Sequence, residues 1–226
     1  MPQKPLTQLI YGSKSTVHEH FQQWEVAGVF REILRLSSEE YQELKDVRWE
    51  WQSMDGSLVQ APVRGQIVCL AEEGLGHNPT DRGRSGSKFH LHVDQDGIPL
   101  GVVVVGANVH DSRLVSLTLE TDILPRPKPT PERPQNMCLD KGYDYPRVEK
   151  EVRENDYVPH IRRIGEKKIG KGKKARTARR WVVERTIAWV KGFRAIRTRY
   201  ICKARNYLAM VHLGCALIIF RKIIKT

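Results

Sequence analysis

The clearest pattern along the chain is a strict alternation from Lys88 to Asp94, with Phe89, Leu91 and Val93 on one side and His90 and His92 on the other. A period of two sends successive side chains to opposite faces of a sheet, so the run predicts a strand with its histidines on the polar face. Asp96-Gly97 is a hairpin turn signal. The run after it, Leu100 to Val105, is continuously apolar, as for a strand buried on both faces. Upstream, Trp49 to Val59 predicts a further strand.

Helical periodicity surrounds this strand region. Ser13-Lys-Ser-Thr16 supplies an N-cap, and Val17, Phe21, Trp24 and Val26 follow at near-helical spacing. Gly28 breaks the pattern before Val29, Phe30, Ile33, Leu34 and Leu36 resume it. Residues 1–46 therefore read as a small helical segment. It is compatible with part of a DNA-binding helix-turn-helix and also with an ordinary helical pair. Asp111-Ser112 is expected to cap a helix through Leu114, Val115, Leu117 and Leu119. Five prolines between Pro125 and Pro134 make an extended connector. Then come a strand at Met137 to Leu139, a helix at Tyr145 to Asn155 and a strand at Tyr157 to Ile161. A solvated stretch from Gly165 to Lys174 and a helix from Arg176 to Phe193 complete the pattern. Hairpin-linked strands followed by crossover units imply an α/β fold, a mixed sheet flanked by helices, over residues 47–226.

Charge changes the picture by its position. The chain has 226 residues and a net charge of +12. From Ile161 to Asn206 there are seventeen Lys or Arg against Glu166 and Glu184, so this segment is +15 and the rest is −3. Local basicity of this kind suits a phosphate backbone, with a solvated basic face as the plain alternative. Cys69, Cys138, Cys202 and Cys215 lack metal-site spacing and read as scattered thiols of a cytoplasmic protein. The apolar stretch Leu208 to Phe220 is too short to span a bilayer and contains His212, so a core or docking helix is expected, and no membrane partner.

Three carboxylates carry the candidate chemistry. Asp55 lies in Trp51-Gln-Ser-Met-Asp-Gly-Ser-Leu-Val59, Asp140 ends the apolar run of Met137-Cys-Leu-Asp-Lys-Gly-Tyr143, and Glu184 sits in Arg179-Arg-Trp-Val-Val-Glu-Arg185. Each has a structural reading. Asp55-Gly56 suits a tight turn, Asp140 a turn position, and Glu184 a pair with Arg180 one turn earlier. If Asp55 and Asp140 cap neighbouring strands and Glu184 faces them from a helix, together they suit two divalent cations roughly 3.5–4 Å apart, set against a DNA phosphate. Gly56 then leaves room for the phosphate, and Asp140 occupies a strand's C-terminal end, where α/β sites gather. Arg180, Glu184 and Lys191 are spaced by four and seven residues and share one helix face.

These residues resemble the DDE transposases of bacterial insertion sequences, of the insertion-sequence-5 type. The stretches that carry the resemblance include Met54-Asp-Gly-Ser-Leu-Val59, Asp81-Arg-Gly-Arg-Ser-Gly-Ser-Lys88, Gly106-Ala-Asn-Val-His-Asp-Ser112 and Leu139-Asp-Lys-Gly-Tyr-Asp144. Val183-Glu-Arg185, Phe193-Arg-Ala-Ile-Arg-Thr-Arg-Tyr200 and Ala204-Arg-Asn-Tyr-Leu208 extend it. The resemblance implies a ribonuclease-H-like core, two Mg²⁺ (or Mn²⁺) ions on Asp55, Asp140 and Glu184, and an oligomeric assembly on double-stranded DNA. The implied substrates are the terminal inverted repeats and a target site, within the bacterial cytoplasm and at the nucleoid. It also implies hydrolysis at the transposon end followed by attack of the freed 3′-hydroxyl on target DNA. The family's tyrosine, arginine, glutamate and lysine offsets fall on Thr177, Arg180, Glu184 and Lys191, the first a departure. The resemblance also suggests a shortened N-terminus with an incomplete end-recognition domain. A catalytically inactive DNA-binding derivative is the rival reading, and an RNA-binding protein a poorer one, because no RNA-recognition motif is present.

The expected DNA contacts are Arg180, Lys191, Arg185 and Arg194, with Arg84 and Lys88 from the glycine-rich loop. His90 and His92 read as polar surface rather than metal ligands, and Asp111 as a helix cap. Trp181 and Trp189 read as helix packing rather than base stacking.

Overall fold

The structure is a computed structural model that describes residues 12–62, 73–163 and 180–224. Residues 1–11, Cys69, the Gly165 to Lys174 stretch and Thr177 lie outside the described residues. Two helices open the described chain, α1 (Lys14–Val26) and α2 (Val29–Lys45). Ser13 caps α1 by accepting from the Thr16 amide, and Gly28 separates the pair at φ +73°, a left-handed geometry that glycine adopts without strain.

The strands follow as β1 (Trp51–Gln60), β2 (Gly76–His77), β3 (Ser85–Val93), β4 (Pro99–Gly106), β5 (Asn136–Leu139) and β6 (Val158–Ile161). β4, β3 and β1 form an antiparallel group, with Gly97 at φ +84° in the hairpin turn. β5 and β6 add to the other edge of β1 in parallel. The main order is therefore β4-β3-β1-β5-β6, with short β2 beside the start of β3. Three antiparallel strands continued by two parallel ones make the mixed sheet expected from the element order.

Helices cover both faces. α3 (Val115–Leu119) and α4 (Pro146–Glu154) lie on one, where Met54, Met137, Leu139, Tyr143, Val148 and Val152 form a compact core. On the other, α5 (Trp181–Gly192) and α7 (Ala204–Ile224) pack over Val59, Phe89, Leu91 and Val93. The short helix α6 (Arg194–Arg197) joins these two. Leu34 and Tyr41 of α2 belong to this larger core, so the N-terminal helices pack into the main body.

Two expectations need correction. His90 and His92 are not polar surface, because both are fully buried. The alternation of β3 holds, but α3 and its following turn roof the second face and supply hydrogen-bonding partners. His90 Nδ1 lies 2.7 Å from Thr118 Oγ1, and His92 Nδ1 lies 2.8 Å from Asp122 Oδ1. The apolar C-terminal helix is also longer than its apolar run. At 21 residues, α7 is long and apolar enough to cross a membrane by length and composition alone. Tyr207, Val211, Cys215 and Ile219 instead place its inner side in the main core.

Candidate catalytic carboxylate site

The sheet brings Asp55 and Asp140 together. The parallel ladder pairs Trp51 with Asn136 and Ser53 with Cys138. Continued two residues further, the same register sets Asp55 opposite Asp140, at the C-terminal end of β5. Asp140 is the N-cap of the 3₁₀ turn Lys141–Tyr143 and accepts from the Gly142 amide at 2.6 Å. Asp55 accepts from the Gly56 amide at 2.8 Å. Burial pushes the Asp55 carboxyl up to about 6; the Gly56 amide opposes that rise, the nearby Asp140 and Asp111 add to it, and Arg180 opposes it.

Glu184 enters from the first turn of α5, on an exposed face. Arg180 joins it to the strands. Its guanidinium donates to Asp140 Oδ2 at 3.1 Å and to Glu184 Oε1 at 2.5 Å. Glu184 thus pairs with Arg180 one turn earlier and, through it, is linked to Asp140. Among the described residues, no three His, Cys, Asp or Glu side chains are gathered closely enough to close around an ion as they stand. The donor set nevertheless fits a hard divalent cation. It consists of carboxylate oxygens, and Asp55 and Asp140 crowd enough to raise the proton affinity of Asp55.

The space over Gly56 has a different occupant from the one expected. A Cβ there would lie 2.1 Å from Asp111 Oδ1 and 3.1 Å from Lys88 Cδ. The pleat is already filled by the Asp111 carboxylate, rather than kept open for a phosphate. Asp111 is therefore not a helix cap; the His110 ring accepts from the Ser112 amide at the start of the Asp111–Arg113 turn. Lys88 Nζ lies 2.9 Å from Asp111 Oδ1, at ion-pair distance but off the hydrogen-bond line, and donates to the Val109 carbonyl at 2.6 Å. With its side chain only 7% exposed, Lys88 is an internal counter-charge and not a DNA contact.

Other basic residues divide in the same way. Arg185, expected on DNA, donates to the Asp96 carbonyl at 2.7 Å and lies against the rings of Trp181 and Trp189, at 4.8 and 4.7 Å from their centroids. It clips α5 to the β3–β4 turn. Trp189 packs against the core as expected, whereas Trp181 is 54% exposed. Lys191 donates to the Leu58 carbonyl at 3.0 Å, and burial holds its ammonium below the usual lysine range. Arg84 and Arg194 are exposed. Arg199, counted in the basic segment, is fully buried and donates to Ser87 Oγ at 2.6 Å and to the carbonyls of Gly74, Ile201 and Cys202. Sequence reasoning missed the Asp111–Lys88 pair; the His110-Asp111 dipeptide and the glycine after Asp55 were its local traces.

Residues 52–219 match the family described as the transposase DDE domain. The protein assigned as transposase for insertion sequence element IS402 of Burkholderia cepacia is 40% identical over 149 residues, 63% of this chain and 67% of that protein. Two solved chains also align. One, from the Mos1 strand transfer complex, is 10% identical at a TM-score of 0.32, covering 88% of this chain. The other, from the Mos1 mariner paired end complex with Mn, is 10% identical at 0.29, covering 84%. The chain spans about three fifths of these solved chains, 62% and 61%.

Proposed function

This chain belongs to the transposase DDE domain family, and from that premise we propose that it cuts the ends of a bacterial insertion sequence and joins the 3′-hydroxyl to target DNA. The observation that supports this reading is the placement of three acids remote in the chain: Asp55 lies opposite Asp140 at one sheet end, and Arg180 bridges Asp140 to Glu184. These three carboxylates would hold two Mg²⁺ or Mn²⁺ ions. When bound, the cations supply a nucleophile active at neutral pH and a counter-charge for the attacking and leaving oxygens.

The chain's own residues do the rest. The Gly56 and Gly142 amides each donate to one aspartate and keep a carboxylate oxygen oriented. Arg180 holds Asp140 and Glu184; it would give them up to a bound cation and turn its guanidinium to a DNA phosphate. Exposed Arg194 and Arg84 hold the duplex backbone by charge. Lys191, bonded to the end of β1, fixes the helix that presents Glu184. Double-stranded DNA is the partner, engaged by more than one copy of the chain at the paired ends.

The test is strand cleavage of a terminal-repeat duplex in Mg²⁺ or Mn²⁺. Asp55→Asn, Asp140→Asn and Glu184→Gln are each expected to lower cleavage at least 100-fold while duplex binding without divalent cation persists. Full cleavage by Asp140→Asn ends this reading. Salt-sensitive binding with no nicking by the wild-type chain favours the inactive DNA-binding derivative.

A further inference from the structure

A buried hydrogen-bond chain runs behind the carboxylates. Tyr143, three residues after Asp140 in the same turn, is 1% exposed, and its hydroxyl lies 2.6 Å from His90 Nε2. His90 Nδ1 lies 2.7 Å from Thr118 Oγ1, and the Thr118 hydroxyl donates to the Leu114 carbonyl at 2.7 Å. The directions follow from counting protons. Thr118 has one hydroxyl proton and gives it to Leu114, so it accepts from His90 Nδ1–H. His90 Nε2 is left as an acceptor for the Tyr143 hydroxyl. Burial, aided by Lys88 and His92, pushes the His90 ring down to about 3, so it stays neutral with one tautomer.

The chain joins the two halves of the site. His90 sits opposite Gly56 in the β1–β3 ladder, beside Asp55, while Tyr143 closes the turn that Asp140 begins. It ends on a main-chain carbonyl under α3 and leads to no surface group. It is therefore a brace and not a proton path.

We propose that Tyr143, His90 and Thr118 form a positioning relay that sets the spacing of Asp140 from Asp55, and through it the affinity of that pair for a divalent cation. This rests on the carboxylate reading above. None of the three touches DNA or a reacting atom; each acts through the turn that carries Asp140.

The experiment titrates the full chain with Mn²⁺ alone, following free Mn²⁺ by electron paramagnetic resonance. Tyr143→Phe keeps the ring and removes only the hydroxyl. It is expected to weaken Mn²⁺ binding about tenfold, as loss of a group supporting a metal ligand does. The Mn²⁺ needed for half-maximal cleavage should rise in parallel, while duplex affinity without divalent cation stays within about twofold. Thr118→Val is expected to shift Mn²⁺ binding in the same direction, and it carries the test if Tyr143→Phe does not fold. Val148→Ala, in the same small core, separates spacing from mere destabilisation: it should lower the melting temperature yet leave Mn²⁺ affinity intact. Wild-type affinity in both relay variants, or an equal loss in Val148→Ala, overturns the relay alone. A wild-type chain that takes up no Mn²⁺ overturns the carboxylate reading and the relay with it.

Discussion

Asp55 shows how far one residue's chemistry depends on its neighbours. Its local string marks it as a candidate ligand, but its raised proton affinity comes from burial and from Asp140 and Asp111, far away in the chain. The folded carboxyl titrates near 6 and its ordinary value is 3.8. Protonated Asp55 therefore favours the fold. Its stabilising contribution is complete below about pH 4 and is lost as pH rises through 6, after which the buried charge is a standing cost. Asp55→Asn removes that cost. Urea unfolding at pH 7.5 is expected to show the variant more stable by about 1–3 kcal/mol, with the difference vanishing below pH 4. A less stable variant at pH 7.5 would contradict the balance of burial and repulsion described here. The three acids were legible because each interrupts a recognisable strand or helix pattern. Asp111 was not, because Asp followed by Ser before an apolar run suits a cap equally well, and its contact with the Gly56 pleat is visible only in three dimensions.

Helix α5 shows the same division along one element. Its spacing placed Arg180 and Glu184 on one face, and the ion pair between them bears that out. The spacing did not reveal that Arg185, the next residue after Glu184, faces the β3–β4 turn. Arg185→Ala removes a bond to the Asp96 carbonyl and contacts with two tryptophans. Urea unfolding should detect a loss of about 1–3 kcal/mol, with duplex affinity nearly unchanged. Arg194→Ala is expected to behave in the opposite sense. Stability should stay within about 0.5 kcal/mol, while duplex binding weakens and its slope against log salt falls by about one. The two slopes, measured by fluorescence anisotropy across salt, separate an internal clip from a phosphate contact. β3 teaches a related lesson, since its period of two was plain but the cover over its histidine face comes from α3, about 25 residues later.

At the scale of the whole molecule, the N-terminal helices belong to the body of the protein. Phe30, Leu34 and Tyr41 of α2 are buried, and α2 lies along α7. Arg205 at the start of α7 pairs with Glu25 of α1 at 3.2 Å. Deleting residues 12–46 should expose the apolar flank of α7, and the remaining chain is expected to aggregate rather than fold as an independent unit. Size-exclusion chromatography of the shortened chain checks this; a monodisperse, cooperatively melting product would refute it. The basic segment also changes meaning at this scale. Arg185, Lys191 and Arg199 turn inward, so the cationic surface is smaller than the linear count.

The sequence by itself determined the element order, the mixed sheet and the family, and it singled out three acids as candidates. Each is written in short-range periodicity or in local strings whose backbone and side-chain preferences act within a few residues. Only the tertiary structure decided which charges face inward, what fills the pleat at Gly56, and how Tyr143 and His90 brace the turn of Asp140. Those outcomes depend on register and on helices laid across the sheet, which bring together groups tens of residues apart. Burial then sets their energies, because a polar group removed from water must find its partner wherever the fold has put one.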